Sequence, residues 1–402
     1  MVTEPFKMLW ESSFNIAGGD VAAVTAVLLI LLAGGVVYSL LSIIAAFQYL
    51  SVPLPELASQ EPISILKPLS GLDLGLESNL RSFFEQDYPA FEILFALRET
   101  TDPAAAVVEK LQREYPHISA RLLTTGESPY PNAKVYSLNF MLAAAKHDLV
   151  VMSDSDTRVT PAMLATVAAE FQNSHVGIAT CPYRAVPGPS LWASLEAVGM
   201  NTDFIAGILV ARMLEGMRFA VGPTIVARRR ILQAIGGVER LKDYLAEDFV
   251  LGKFAAEAGH GVILSSYVIE HHIGSAGLRH NLAHRLRWAR STRRSRPFGY
   301  LGQLLTMPLP LALLVCAANA AWWPVLAVTL AVRVTAAYIV SVRVLRAKIN
   351  WLLLPMEDLT NFCVWIAGFF GNTIVWRGRY YRLHPDGRFE LLTSMAARPR
   401  IN

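Results

Sequence analysis

The pattern with the clearest chemical meaning is Asp154-Ser155-Asp156, which follows the apolar run Val150-Val151-Met152. Two carboxylates thus stand one residue apart at the end of a predicted buried strand. Carboxylate oxygens suit a hard cation such as Mg2+ or Mn2+, which would neutralise the phosphates of a nucleotide substrate. The plain alternative is a turn, where Asp and Ser bond their own backbone. A second pattern, Ala246-Glu247-Asp248, opens a predicted helix. Acids there oppose the helix dipole favourably, and a carboxylate so placed also suits proton abstraction from a hydroxyl. A third is His284-Arg285-Leu286-Arg287-Trp288. Helical spacing puts His284, Arg287 and Trp288 on one face, with a guanidinium for phosphate and a flat indole for a sugar ring. Glu99 and Asp102 follow another predicted strand; Asp102 reads as a helix N-cap, and the functional option is a carboxylate bonded to a nucleoside. His271-His272 offers an imidazole for a metal, although adjacent residues point apart on regular structure. Cys181, Cys316 and Cys363 have no metal-type spacing and read as buried thiols.

The elements that must position these residues alternate. Strands are predicted over 61–66, 91–97, 120–123 and 149–152, and helices over 77–84, 104–114, 136–145 and 161–171, with Lys67-Pro68-Leu69 as a loop. Such alternation predicts an α/β fold with a mostly parallel sheet covered on both faces. Ligands of these sheets bind beyond the carboxyl ends of the strands, where Asp154 and Glu99 fall. There is no Gly-x-Gly-x-x-Gly fingerprint and no P-loop, which removes support for dinucleotide binding or ATP hydrolysis.

The 402 residues are 53% hydrophobic and only 17% charged, against roughly 45–50% and 25% in soluble domains. The surplus is local. Residues 21–50 carry no charge over thirty positions, more than the ~20 a helix needs to span the hydrocarbon core. The run is too long for a signal peptide and reads as a retained anchor. Further apolar stretches cover 300–342, interrupted by Arg333, and 361–376. The predicted organisation is a non-cytoplasmic segment 1–20, an anchor 21–50 and a soluble domain 60–298. A membrane region of two or three helices follows over 300–376, with Pro308 and Pro310 marking a re-entrant candidate, and a basic tail over 377–402. Seven arginines and no acid lie within 279–296, which places the soluble domain in the cytoplasm. Most of those arginines read as a juxtamembrane helix attracted to anionic headgroups, and their place beside a span argues against nucleic acid. Residues 191–213 are apolar but contain Glu196, Asp203 and Arg212, a helix either interfacial or in the core.

The order of these features resembles the membrane-bound GT-A glycosyltransferases of the ceramide glucosyltransferase type, glycosyltransferase family 21. The resemblance runs through Ser64-Ile65-Leu66-Lys67-Pro68-Leu69, Phe83-Phe84-Glu85-Gln86-Asp87-Tyr88-Pro89, Asp154-Ser155, Ala246-Glu247-Asp248 and Arg287-Trp288. Asp154-Ser155-Asp156 and the His284–Arg290 run are similar to the bacterial hopanoid-biosynthesis members. The resemblance implies an inverting transfer from a UDP-sugar to the hydroxyl of a membrane lipid: N-acetylglucosamine to a hopanoid polyol (bacteriohopanetetrol), or glucose to ceramide. It implies Glu99 or Asp102 beside the nucleoside, Lys134 as a nucleotide contact, Asp154 and Asp156 holding Mg2+ or Mn2+ and the diphosphate, and Asp248 as base. His284, Arg287 and Trp288 would close over diphosphate and acceptor. Glu99 stands where the family usually has Asp, and His284 where it has Gln or Arg. The resemblance also implies an integral protein of a bacterial inner membrane.

Two other classes stand beside this reading. A processive polysaccharide synthase of the same fold would need more spans after the domain than two or three. A non-catalytic membrane scaffold or transporter predicts lost carboxylates, whereas Asp154, Asp156 and Asp248 are present.

Overall fold

A computed structural model describes residues 4–274, 277–376 and 379–392, with side chains described from Ala23 onward. The chain runs α1 (Glu4–Leu50), β1 (Ile63–Pro68), α2 (Leu76–Phe84), β2 (Phe91–Leu97), α3 (Ala104–Glu114), β3 (Ser119–Thr124), α4 (Ala133–Ala144), β4 (Leu149–Ser153), β5 (Thr157–Arg158) and α5 (Met163–Glu170). It continues through β6 (Val176–Thr180), β7 (Tyr183–Pro187), α6 (Leu191–Gly199), α7 (Ile205–Glu215), β8 (Thr224–Arg228), α8 (Arg229–Ala234), α9 (Glu247–Glu257), β9 (Gly261–Leu264) and β10 (Ile269–Ile273). The remainder is α10 (Leu278–Ser295), α11 (Pro297–Gly302), α12 (Pro308–Ala318), α13 (Trp323–Tyr338), α14 (Leu354–Gly368), β11 (Thr373–Trp376), β12 (Arg379–Leu383) and β13 (Phe389–Leu391).

The central sheet has the order β3-β2-β1-β4-β8-β6-β9. β8 runs antiparallel to both neighbours, and the other pairings are parallel. Period-two alternation explains why strands that read as unbroken apolar runs form it, since both faces are buried. Ile63, Ile65, Ile93, Phe95, Leu149 and Val151 enter one core with α2, α3 and α5. Leu66, Leu94, Ala96, Val150 and Met152 enter the other with α4, α8 and α9. Each fully buried large side chain contributes about 1.5–3 kcal/mol.

β1 extends into the predicted loop, taking Lys67 and Pro68 into register with Phe95 and Ala96. Strand geometry survives there because the Lys67 ammonium is satisfied inside the protein, 3.0 Å from Thr157 Oγ1 and bonded to the Asp154 carbonyl.

Among the described residues three helices are long and apolar enough to cross a membrane: Ala23–Leu50, Leu191–Glu215 and Ala320–Val344. Pro297–Thr306 and Pro308–Ala318 form a further pair bent by 61°, at the prolines where backbone donors are missing. α6 and α7 join through a π-helical turn over Met200–Phe204. α7 packs Ile205, Ile208 and Leu209 against Ala45, Ala46 and Tyr49 of α1, so this helix is part of a core. Asp203, in the π-helical turn, lies 2.6 Å from Arg333, which also meets Asp358 at 2.7 Å. The predicted apolar stretch 361–376 is divided, because α14 stops at Gly368 and Thr373–Trp376 is a strand. Part of the predicted basic tail pairs with it as β12 and β13. Residues 1–3, 377, 378 and 393–402 of the predicted terminal segments lie outside the described residues.

The arginine-rich helix also differs from the expectation of a headgroup-binding surface. Arg285 makes a two-pronged bond to Glu357 of α14, at 2.8 and 2.9 Å. Arg290 and Arg293 bond the carbonyls of Phe370, Thr373, Phe369 and Gly371. These guanidiniums satisfy the exposed C-terminal end of α14 and the turn after it, where helix carbonyls have no partners of their own.

Candidate active site

The carboxyl end of β4 delivers the Asp154-Ser155-Asp156 turn, and the turn is fastened from several sides. Asp154 N donates to Pro223 O at 2.9 Å, Ser153 Oγ meets Thr157 Oγ1 and Thr224 Oγ1 at 2.7 and 2.9 Å, and the Lys67 ammonium lies beneath. Burial pushes the Lys67 pKa down to about 7, against the pull of Asp154 and Asp156.

Lys134 enters from the first turn of α4, capped by Asn132, whose side chain accepts from Lys134 N and Val135 N. Its Nζ lies 2.7 Å from Asp154 Oδ1 and 3.1 Å from Glu247 Oε1. Burial works against its charge, yet Asp154 and Glu247 hold the ammonium above its ordinary range. The amide of Asn132 donates to Tyr244 O and Glu247 Oε2 at 3.0 and 3.2 Å, which ties α4 to the loop before α9.

Asp248 stands in the first turn of α9. Burial and the neighbouring Glu247 push its carboxyl up to about 7, while Lys134 and the Phe249 N–H oppose the shift. The segment 222–224 touches both acid clusters: a Cβ on Gly222 would lie 2.9 Å from Asp248 Oδ2, and the adjoining Pro223 and Thr224 hold Asp154 and Ser153. α9 itself packs on backbone, since a Cβ on Gly252 would lie 2.2 Å from Ala220 N. The loop ahead of it is seated by the C-terminal sheet. Leu245 shares a core with Ile374, Tyr381, Leu383 and Phe389, and Phe389 N donates to Asp243 O at 2.9 Å.

Asp156 faces β10, with His271 Nε2 3.2 Å from its Oδ2. Burial disfavours the ionised carboxyl, but His271 overcomes this and holds it below the usual range. For His271, burial is outweighed by Asp156, with Asp154 and Glu196 adding to the same upward shift. His272 turns instead to Glu270, at 2.9 Å.

α10 joins this cluster through rings. Tyr183 meets His271 edge-on at 5.3 Å and Phe204 at 5.4 Å; Phe204 meets Trp288 at 5.6 Å, and Trp288 meets His284 at 5.5 Å. Asp248, Glu196 and Asp156 all act electrostatically on the buried Tyr183 phenol, so the three carboxylates surround one region. Arg287 is half-buried on the same helix. Asp154, Asp156, Lys134, Asp248, His284 and Trp288 therefore belong to one neighbourhood.

Glu99 and Asp102 are engaged by other partners. Glu99 is exposed and pairs with Arg98 at 2.9 Å. Both oxygens of Asp102 accept from Gly71 N, at 3.1 and 2.9 Å, and Oδ1 also accepts from Ala104 N at 2.9 Å. It thus caps α3 and holds the loop after β1, while Asp73 of that loop accepts from Ser155 Oγ at 2.5 Å. Sequence reasoning does not single out Lys67 or Glu196 as site residues, and it offers His271 only as one of a histidine pair able to meet a metal, whereas the structure gives it to Asp156. The available signals were a lysine closing an apolar strand and a carboxylate within an apolar helix.

Asp156 Oδ1 is buried and meets no hydrogen-bond partner. Among the described residues no three His, Cys, Asp or Glu side chains converge as a cage. Two carboxylates, one with an unmet oxygen, fit Mg2+ or Mn2+, which binds through one or two carboxylates plus water and phosphate oxygens.

A family model described as Glycosyl transferase family 21 matches residues 27–389. Ceramide glucosyltransferase 1 of Caenorhabditis elegans is 30% identical over 207 residues, covering 51% of this chain and 44% of that protein. Ceramide glucosyltransferase of Komagataella phaffii is 38% identical over 117 residues, covering 28% and 23%. The matched segments span about half or less of the length of these curated relatives. Among solved structures, mannosyltransferase PcManGT from Pyrobaculum calidifontis, in complex with GDP-Man and Mn2+, aligns with a TM-score of 0.53 at 18% identity. The alignment covers 86% of this chain and 99% of that one, and shows a common α/β GT-A fold.

Proposed function

The chain belongs to glycosyl transferase family 21, and from that premise we propose that it is an inverting hexosyltransferase moving a sugar from a UDP-sugar to the hydroxyl of a membrane lipid. The observation that carries this reading is the meeting of Asp154, Asp156, Lys134 and Asp248 beyond the carboxyl end of β4. The cluster adjoins α10, a helix fastened to the apolar helix α14 by Arg285 and Glu357.

Asp154 and Asp156 are the residues that would hold Mg2+ or Mn2+, and the bound ion supplies positive charge to the diphosphate. Lys134 and Arg287 add fixed positive charge on the leaving-group side. Asp248 accepts the proton of the acceptor hydroxyl as its oxygen attacks the anomeric carbon. The bond from that carbon to the diphosphate breaks, and its electron pair leaves with UDP. A base with a pKa of about 7 is matched to this task near neutral pH. A lipid acceptor suits the apolar helices, because its hydroxyl reaches the site while its tail stays in the bilayer. The basic run before α11 favours a cytoplasmic catalytic domain, where UDP-sugars are available, and the resemblance to the hopanoid-biosynthesis members favours a bacterial inner membrane.

Glucose to ceramide is the pairing supported by the names of the relatives. N-acetylglucosamine to a hopanoid polyol is the pairing supported by Asp154-Ser155-Asp156 and by His284 in place of Gln or Arg. Incubating the purified protein in lipid vesicles with labelled UDP-glucose or UDP-N-acetylglucosamine, and with ceramide or bacteriohopanetetrol, separates them by product mass. Absence of metal-dependent UDP release with every combination would overturn the transferase reading.

A further inference from the structure

Glu196 is a carboxylate within the 25-residue apolar helix Leu191–Glu215. Such a group is costly unless paired, and its presence points to function. Both of its oxygens are engaged by α10. Oε1 lies 2.7 Å from His284 Nδ1, and Oε2 accepts from the amide nitrogen of Asn281. Asn281 is itself fixed, because its Oδ1 accepts from Arg285 Nε at 2.9 Å and Arg285 is held by Glu357. The carboxylate is therefore set by a run of bonds reaching α14.

We infer that Glu196 is a positioning residue for the acceptor: it fixes the His284 imidazole so that Nε2 accepts a hydrogen bond from a hydroxyl of the lipid beside Trp288. An ionised carboxylate can only accept, so Nδ1 carries a proton toward Glu196, and in the neutral form of the ring that tautomer makes Nε2 the acceptor. A nucleotide diphosphate presents acceptors at its phosphates, so this nitrogen selects a donor. The hydroxyls of a ceramide or a sugar-like polyol are donors. Trp288, 5.5 Å from the imidazole between ring centres, supplies an apolar wall beside it. The inference rests on the transferase reading above and adds how the acceptor is held.

The test compares wild type, Glu196→Ala, His284→Gln and the double variant, assayed with UDP-glucose and ceramide, and with UDP-N-acetylglucosamine and bacteriohopanetetrol, in phosphatidylethanolamine vesicles. Glu196→Ala should raise the KM of the lipid roughly ten-fold, the scale of one lost buried hydrogen bond, with a much smaller change in the KM of the UDP-sugar. A Gln side chain accepts through its own amide oxygen without an orienting carboxylate. In the His284→Gln background, removal of Glu196 should therefore add little to the lipid KM. An equal loss in both backgrounds, or a loss confined to the UDP-sugar KM, would overturn the inference and leave Glu196 as a staple between α6 and α10. Failure of wild type to release UDP would count instead against the transferase reading.

Discussion

Nζ of Lys134 lies 2.7 Å from Oδ1 of Asp154, so the first turn of α4 is locked to the carboxyl end of β4. The same ammonium reaches Glu247, beside Asp248. One cation thus sits between the acids of the proposed donor site and those of the proposed base. Lys134→Met leaves these carboxylates facing each other without a counter-charge. The expected loss is about 2 kcal/mol, or roughly 30-fold in kcat/KM for the UDP-sugar, measured by varying the donor at fixed lipid.

Asp248 must be unprotonated to act as base. Its carboxyl is pushed up to about 7, so below that pH it carries the proton and is inactive, and as pH rises through it the base forms. kcat/KM should rise about tenfold per pH unit on the acid side and level off above about 7. Asp248→Asn should remove that limb and lower kcat by roughly 100-fold or more. A pH–rate profile of both proteins checks the assignment.

Asp156 Oδ1 is a buried acceptor with no donor, the feature that most directly invites a cation. Stripping metal with a chelator should abolish transfer, and Mn2+ or Mg2+ should restore it. In Asp156→Asn the metal concentration giving half-maximal activity should rise at least about ten-fold, since an anionic oxygen ligand is lost.

The C-terminal sheet seats the loop that leads to Asp248. Phe389 is 2% exposed and packs with Leu245, so Phe389→Ala should cost about 3–5 kcal/mol of local packing. The expected result is a lower thermal midpoint and a fall in kcat larger than the change in lipid KM. Thermal unfolding in detergent and steady-state kinetics read the two separately.

Much of the fold is legible in the chain itself. Alternating apolar strands and amphipathic helices of about ten residues call for a covered parallel sheet, and sheet logic puts Asp154 and Asp156 at a strand end. The helical spacing of His284 and Trp288 likewise places them on one side of α10, where their rings lie 5.5 Å apart. Residues whose role depends on distant partners were not legible. Lys67 reads as a loop lysine until Ser153, Asp154 and Thr157, almost ninety positions later in the chain, close around it. The arginines of α10 read as a headgroup-binding surface until the end of α14 presents its carbonyls.

By itself, then, the sequence determined the periodicities, the apolar helices and the chemical types gathered near β4, because these follow from local spacing and composition. Tertiary structure decided which of those groups meet. It paired Lys134 with Asp154, His271 with Asp156 and Glu196 with His284, and it tied Asp102 to Gly71 of the loop after β1. Those outcomes depend on strand order and helix docking, which bring together groups 20 to 115 positions apart and fix the charge and hydrogen-bonding state of each.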